Sequence, residues 1–225
     1  MSQPIRLALL LGSCRRNGNN PGIASWVQKL IDARLNPAGS PKAFEIIPVD
    51  PTKAPQPYGP VVDGSRIPAQ IIDVSGYSTD AIQEWSRFIA SCAGFIVVTP
   101  QYNGGYPGEL KNAIDHLYHE WRGKPVITIT FGGHGGGKCA VQLQGVFAQL
   151  KMRMPAEPVC VTLPRPYVEG EERVPTDGNH PDFLAQYVEA VGEAADKLRA
   201  SLIPKEANLC ELRTCYSEVP KIADT

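Results

Sequence analysis

Five short apolar runs recur along the chain, and segments with helical spacing of apolar residues lie between and after them. The runs cover residues 5–11, 43–49, 94–99, 126–131 and 158–163. A continuous apolar run of this length is typical of a strand that is buried on both faces of a parallel sheet. The second run is less regular because Pro48 lies near its end. We therefore predict five parallel strands.

The segments between and after the runs predict helices over residues 23–35, 80–93, 108–118, 138–153 and 183–202. Pro21 and Gly22 open the first helix, and Thr79 or Asp80 caps the second. Strands that alternate with helices indicate an α/β fold with helices on both faces of the sheet. Right-handed crossovers favour a flavodoxin-like three-layer sandwich with the strand order 2-1-3-4-5.

The domain organisation follows from the end of the last helix. We expect one flavodoxin-like α/β domain over residues 1–203 and a C-terminal tail over 204–225. The tail has weak periodicity and mixed charge, so we expect it to wrap a surface or a partner, or to be partly disordered.

Composition narrows the class of protein. The 225 residues carry 22 Lys and Arg against 23 Asp and Glu, a net charge of −1 that argues against nucleic-acid and membrane-surface partners. No apolar run approaches the roughly 18 residues of a membrane span, and residues 7–11 are too short for a signal sequence. Six scattered cysteines without a CxxC pair make a disulfide scaffold improbable. We predict a cytoplasmic protein.

Glycine and proline are in surplus, with 21 of each. Many prolines fall in residues 48–68 and 155–181, which we expect to shape a pocket rim and subunit contacts. Many glycines fall instead in three loops that follow predicted strands. In an open α/β sheet, ligands bind beyond these carboxyl ends of the strands.

The first of these loops, residues 12–22, is rich in hydrogen-bond donors. The Ser13 hydroxyl, the Arg15 guanidinium and the amides that open the next helix together suit a phosphate group. The alternative is a solvated polar turn, and Arg16 fits plain surface charge better than Arg15 does.

The second loop, residues 99–108, places Tyr102 between prolines and glycines. A rigid backbone with exposed amides and a flat apolar edge suits a planar heterocycle. The alternative is an ordinary turn with a packing tyrosine.

The third loop has five glycines within residues 132–137, which lets the backbone approach a ligand closely. Its P-loop-like spacing fails because Cys139 stands where a Ser or Thr must meet Mg²⁺. The spacing from Gly135 to Ala140 matches a dinucleotide fingerprint only loosely. His134 is either a ligand contact or an exposed turn residue. His116, His119 and Glu120 lie at helical spacing but have no Cys or fourth ligand nearby, so we predict no metal site.

Together, the three loops resemble the NADPH-dependent FMN reductase family of flavodoxin-like quinone, azo and chromate reductases. The resemblance runs from about residue 5 to residue 163. It rests on three motifs, which are Gly12-Ser13-x-Arg15, Pro100-Gln101-Tyr102-Asn103 continuing into Pro107-Gly108-x-Leu110-Lys111-Asn112-Ala113-Ile114-Asp115, and the glycine loop 132–137. Gln101 departs from the family, since many relatives carry Glu there.

The resemblance also implies a set of cofactor-binding residues. Those expected to hold the FMN phosphate are Ser13, Arg15, Asn20, Gly22 and Ile23. Those expected to line the isoalloxazine, mainly through backbone groups, are Pro100, Gln101, Tyr102, Asn103, Gly104, Gly132, Gly133, His134, Gly135 and Gly136. Lys111 and Asp115 lie on a helix that such proteins often use in a dimer interface, so a homodimer or homotetramer is implied.

The expected function is an FMN-dependent NAD(P)H oxidoreductase. Hydride would pass from NADPH, or NADH, through N5 of bound FMN to a small acceptor, which could be a quinone, an azo compound, a metal oxyanion or free flavin. The cofactor carries the chemistry, so no catalytic side chain is required. NADPH is implied by the resemblance alone, because the sequence shows no dedicated site for its 2′-phosphate. The alternatives are a flavodoxin-type electron carrier, which is usually strongly acidic, and a P-loop nucleotide hydrolase.

Overall fold

A computed structural model describes residues 3–56 and 66–202 of the chain. The predicted tail, residues 204–225, and part of the proline-rich stretch 48–68 lie outside the described residues. Within them, five strands form, which are β1 (Ile5–Leu11), β2 (Phe44–Val49), β3 (Gly94–Pro100), β4 (Val126–Gly132) and β5 (Val159–Thr162).

The five strands form one parallel sheet in the order β2-β1-β3-β4-β5. The predicted flavodoxin-like strand order is thereby confirmed. The first strand lies between β2 and β3, where Leu7 is in register with Ile46 and Leu9 with Ile96. Strand order changes direction at β1, so the carboxyl ends of β1 and β3 flank the point where such folds bind ligands.

Six α-helices within residues 3–56 and 66–202 connect or cover the strands, namely α1 (Asn20–Leu35), α2 (Asp80–Ser91), α3 (Gly108–Asp115), α4 (Gly137–Gln149), α5 (Arg165–Val168) and α6 (Val188–Leu202). Short 3-10 helices cover Pro68–Gln70, Val74–Gly76 and Asp182–Tyr187. No helix among the described residues is long and apolar enough to cross a membrane.

Each face of the sheet has its own apolar core, as a three-layer sandwich requires. Leu7 and Leu9 of β1 face a cluster that contains the buried sides of α1 and α6. Ala8 and Leu10 face the opposite cluster, which contains buried residues of α2, α3 and α4. Successive side chains of a strand point to opposite faces, so one apolar run supplies both cores.

Among the predicted helix boundaries that are wrong, three have a clear local reason. The fourth helix ends at Gln149 rather than at residue 153 because Lys151 has a positive φ of 59° and Arg153 pairs with Pro125. The third ends at Asp115, where His116 turns its ring back onto the Asn112 carbonyl at 2.6 Å. The last helix is α-helical only from Val188, after a 3-10 segment.

Candidate functional site

The three loops singled out in the sequence meet at the carboxyl edge of the sheet around one cavity. Its volume is about 580 Å³, within the usual range for a small-molecule or cofactor site. We call it the main cavity. The predicted residues that line it are Ser13, Arg15, Asn20, Pro100, Gln101, Tyr102, Gly132 and Gly133.

The first and second loops are joined across the main cavity by Ser13, Arg15 and Tyr102. The Ser13 hydroxyl lies 2.6 Å from the Tyr102 hydroxyl and also accepts a hydrogen bond from the Arg15 amide at 3.2 Å. The Arg15 guanidinium lies 4.0 Å from the centre of the Tyr102 ring, a cation–π contact. These contacts hold a cationic donor and an aromatic ring at the same wall.

Asn20 is the least satisfied polar residue of the cavity wall. Its side chain is 2% exposed, and neither Nδ2 nor Oδ1 has a hydrogen-bond partner among the described residues. Leaving a buried polar group unpaired costs about 1–3 kcal/mol. Asn20 also opens α1, where the first backbone amides have no partner within the helix. This corner of the cavity is therefore suited to an anionic ligand with several acceptors.

The helix α1 begins three residues earlier than predicted, which explains the roles of Gly22 and Ile23. Ile23 is fully buried in the apolar core and does not line the main cavity. A Cβ on Gly22 would lie 1.9 Å from the Val174 carbonyl oxygen, so a side chain there is excluded by packing. Both residues therefore position the first loop through packing, Ile23 in the apolar core and Gly22 against Val174.

Asn103 and Gly104 form the tip of the second loop. Their φ angles are 50° and 84°, and the backbones of Tyr102 and Gly105 exchange hydrogen bonds of 2.8 and 2.9 Å. Positive φ at both central residues is the geometry of a tight hairpin turn. The pair lies outside the lining of the main cavity.

The third loop divides into a cavity half and a structural half. Gly132 and Gly133 line the main cavity, and His134 is exposed at the surface, outside that lining. Gly135 and Gly136 have φ angles of 75° and 78° and face Cys160 and Thr130 instead. These two glycines are explained by the backbone turn that leads into α4.

A further segment completes the main cavity, and sequence reasoning missed its individual residues. We call residues 163–174 the strap. It contributes Leu163, Tyr167, Val168 and Arg173 to the lining, together with Phe131 from β4. The surplus of prolines in residues 155–181 did indicate a pocket rim, but it did not single out these side chains.

Asn19 fastens the strap to the first loop. Its Nδ2 donates to the Tyr167 carbonyl at 2.8 Å, and its Oδ1 accepts from the Val174 amide at 3.0 Å. The same residue precedes α1, yet its side chain makes no capping bond to that helix. The amide is thus used for tertiary structure, which local sequence patterns do not reveal.

Burial raises the pKa values of two cysteine thiols near the site. Burial raises the pKa of the Cys139 thiol to about 12, so it stays protonated. Burial, followed by the nearby carboxylates Glu109 and Asp50, raises the pKa of Cys14. Gln101 Oε1 accepts a hydrogen bond from the Cys139 amide at 3.2 Å and so caps α4. The described residues hold no group of three His, Cys, Asp or Glu side chains placed to bind a metal.

Comparison with known proteins identifies the family. Residues 5–162 match the family described as NADPH-dependent FMN reductase. The chain belongs to this family. The match ends at residue 162, so the whole strap lies beyond it.

Individual relatives agree with this assignment. The chain is 42% identical to an NAD(P)H-dependent FMN reductase of Schizosaccharomyces pombe over 71% of this chain and 74% of the relative. It is 28% identical to a quinone reductase of Escherichia coli (strain K12) over 67% and 73%, respectively. An oxidoreductase structure from Corynebacterium diphtheriae has a TM-score of 0.60, with 15% identity, 91% of this chain covered and 100% of that chain, and shows the shared fold.

The family membership confirms the predicted enzyme class. The chain is an FMN-dependent NAD(P)H oxidoreductase, with FMN and NADPH or NADH as cofactors. Neither the electron carrier nor the P-loop hydrolase is favoured. The cavity fits FMN on independent grounds, because it combines the unpaired side-chain amide of Asn20 with an aromatic and backbone-lined wall at Tyr102 and Gly132.

Proposed function

We propose that the main cavity binds FMN with its phosphate at the first loop and its ring system between the second and third loops. The enzyme then passes electrons from NADPH or NADH to a planar conjugated acceptor of the quinone type. The observation that carries the proposal is the orphaned amide of Asn20, which lies at the start of α1 on the same cavity as Ser13 and Arg15.

The phosphate end is built for charge. Arg15 offers a guanidinium whose position is fixed by its contact with Tyr102, and Asn20 offers both a donor and an acceptor. The Ser13 hydroxyl bridges the Arg15 amide and the Tyr102 hydroxyl, which keeps these groups in place before a ligand arrives. Such preorganisation reduces the entropic cost of binding.

The ring end is built from backbone and flat side chains. Pro100, Tyr102 and the glycines at 132 and 133 line it, and a Cβ on Gly133 would lie 3.7 Å from the Val168 side chain. Bound FMN supplies the two-electron redox chemistry. The protein supplies orientation and a low-polarity surface, which is consistent with the absence of an acid–base pair among the described residues of the cavity lining.

The apolar side chains of the strap favour an apolar electron acceptor. Leu163, Tyr167 and Val168 form one side of the main cavity with Phe131, and Val168 is 50% exposed although it is aliphatic. Such a wall favours a flat apolar molecule over a hydrated oxyanion, which would lose its hydration shell there. The quinone reductase among the relatives is named for this class of acceptor.

We also propose a cytoplasmic homodimer or homotetramer that uses α3. Lys111 and Asp115 form an ion pair on this helix and are each about two-fifths exposed. The pair is thus open to a second subunit. Light scattering after size-exclusion chromatography should give at least twice the monomer mass, and a monomer at micromolar concentration would contradict the interface.

The enzyme proposal is tested with one preparation of the full chain. The purified protein, reconstituted with FMN if needed, should be yellow and should bleach within seconds when NADPH is added without oxygen. A small quinone should then restore the yellow colour faster than chromate or free FMN does. Yellow protein that NADPH leaves unchanged would favour the electron carrier, and protein that takes up no FMN would contradict the site itself.

A further inference from the structure

A second cavity lies directly beside the main cavity and shares Arg16, Asn17, Gly18 and Arg173 with it. Its volume is about 560 Å³. The other lining residues belong to the second cavity alone. Pro21 and Gly22 lie at the start of α1, Glu171 and Val174 lie in the strap, and Thr176 follows the strap.

We propose that this second cavity is a phosphate subsite that receives the 2′-phosphate of NADPH and so selects NADPH over NADH. The proposal rests on the function proposed above, because it takes the FMN phosphate to occupy the main cavity. The second cavity would provide the binding site for the 2′-phosphate of NADPH, a site that no sequence motif revealed.

The charge of the second cavity fits a phosphate. Two exposed guanidinium groups, those of Arg16 and Arg173, border it, opposed by the single carboxylate of Glu171. Arginine presents a planar fork of donors that matches phosphate oxygens. The whole chain carries a net charge of −1, so attraction for a phosphate has to come from this local excess of positive charge.

Arg173 is held in position before any ligand binds. Its Nε donates to the Asn17 carbonyl at 2.5 Å, and its Nη1 donates to the carbonyls of Gly170 and Glu172 at 2.9 and 2.6 Å. Nη2 has no protein partner among residues 3–56 and 66–202. The side chain therefore bridges the first loop and the strap while it keeps one nitrogen for a ligand.

The walls of the second cavity are also fixed to each other. Asn19 bonds to both Tyr167 and Val174 of the strap, and Gly22 packs so closely on the Val174 carbonyl that it admits no side chain. These contacts set the spacing between the start of α1 and the strap. A rigid, preformed site loses less entropy when a ligand binds.

The second cavity is separate from the proposed FMN phosphate site. Ser13, Arg15 and Asn20 line only the main cavity, whereas Pro21, Glu171 and Thr176 line only the second. One protein can thus hold two phosphates in adjacent cavities that share residues 16–18 of the first loop. NADH lacks the 2′-phosphate, so its binding would leave Arg16 and Arg173 exposed to solvent.

The test uses calorimetric titration of the FMN-loaded full chain at low ionic strength, where exposed charges are least screened. The probes are 2′,5′-ADP, 5′-AMP and inorganic phosphate. We expect 2′,5′-ADP to bind at least about tenfold more tightly than 5′-AMP, the factor that one charge-assisted contact supplies. Arg173→Gln should remove most of this ratio, and Arg173→Lys should restore part of it.

Two further variants separate recognition from a structural effect. Glu171→Gln removes the opposing charge and should tighten 2′,5′-ADP by about two- to threefold, the opposite direction to Arg173→Gln. Arg165→Gln changes the charge equally on the same strap, but its side chain is 84% exposed and it borders neither cavity, so the ratio should stay at the wild-type value.

Several results would overturn the subsite. Equal binding of 2′,5′-ADP and 5′-AMP would do so, as would inorganic phosphate that binds as tightly as 2′,5′-ADP. Loss of FMN from Arg173→Gln with an unchanged nucleotide ratio would instead assign Arg173 to the FMN phosphate. Flavin content is measured first. Wild-type protein that takes up no FMN contradicts the proposed function, whereas protein that takes up FMN but does not prefer 2′,5′-ADP contradicts the subsite alone.

Discussion

The first and third loops both follow buried strands, and both are rich in the residues expected of a cofactor site, yet they differ in how their polar groups are satisfied. In the first loop, Asn20 is buried with no hydrogen-bond partner among the described residues. In the third, Gly135 donates its amide to Gly132 at 3.0 Å and accepts from the Thr130 hydroxyl at 3.1 Å. One loop is complete only with a ligand, and the other is largely complete on its own.

A loop can thus have an unusual sequence for two different reasons, backbone geometry or ligand binding. A glycine can be required by the backbone alone, and at Gly135 and Gly136 the requirement is a turn with positive φ that leads into α4. An unpaired buried side chain, such as that of Asn20, has no hydrogen-bond partner among the described residues and so indicates that a polar partner binds there. Only the second observation points directly to a ligand.

The largest expected effect breaks the third loop. Gly136→Ala places a Cβ 2.9 Å from the Thr130 Cβ at a φ of 78°. We expect a loss of about 2–4 kcal/mol in the free energy of unfolding, because left-handed strain and overpacking add together. Urea unfolding of the flavin-free protein measures this loss.

The neighbouring glycine provides the control. A Cβ on Gly137 would have nothing within 4 Å, and this residue is the first of α4. Gly137→Ala should therefore leave stability unchanged or raise it by up to about 1 kcal/mol. Equal losses from the two substitutions would show that the turn at Gly136 is not what requires glycine.

The next effect changes sign between two measurements. Asn20→Leu removes an orphaned buried amide, so the flavin-free protein should be as stable as the wild type or more stable by about 1 kcal/mol. The same variant should lose about 1–3 kcal/mol of FMN binding free energy, since its contacts to the phosphate are gone. Urea unfolding and fluorescence titration with FMN measure the two quantities.

Asn36 is a matched asparagine with the opposite property. Its amide bonds to Asp32, to the Phe44 carbonyl and to the Ala43 amide at 2.9 to 3.0 Å. Asn36→Leu should therefore destabilise the flavin-free protein and leave FMN affinity unchanged. If Asn20→Leu behaved like Asn36→Leu, the comparison between satisfied and unsatisfied loops would be wrong.

A smaller effect is expected at the exposed part of the first loop. Arg15→Ala should weaken FMN binding by about 1.5 kcal/mol, the low end for a charge-assisted contact, since solvent screens this side chain. Equilibrium dialysis of FMN at two salt concentrations measures the loss and its screening. Arg87 on α2 is a control, because it donates a hydrogen bond to Gln83 and lines neither cavity, so its loss should leave FMN affinity unchanged. Unchanged affinity in Arg15→Ala would refute its role.

The fold and the positions of the three loops could be predicted because their signals are local. Runs such as Ile5–Leu11 identify strands directly, and short connections leave few sheet orders. Ser13 and Tyr102 were found because turn residues and strand ends mark their loops in the sequence. The strap could not be found this way, because Arg173 reaches the site only through tertiary bonds to Asn17, 156 positions away.

The glycines show the converse limit. Gly132 and Gly135 look alike in the sequence, yet only Gly132 lines the main cavity, while Gly135 packs on Cys160 and Thr162. Which glycine meets a ligand depends on the direction of the turn and on the neighbouring strand. Neither is encoded in the residue type, so composition alone assigns too many glycines to the site.

The smallest expected effect sharpens the link between the second and third loops. Gln101 Oε1 accepts from the Cys139 amide, in the first turn of α4. Gln101→Glu places a carboxylate at this helix N-terminus and should raise the free energy of unfolding of the flavin-free protein by about 0.5 kcal/mol. The helix should lower the pKa of this carboxylate, so the gain is present at pH 7 and is lost as pH falls below about 4.

Gln101→Met, which keeps the volume but accepts no strong hydrogen bond, should lose about 1 kcal/mol at every pH. Urea unfolding at pH 7 and pH 3 distinguishes the two, and a Glu variant no more stable than the Met variant at pH 7 would contradict the capping role.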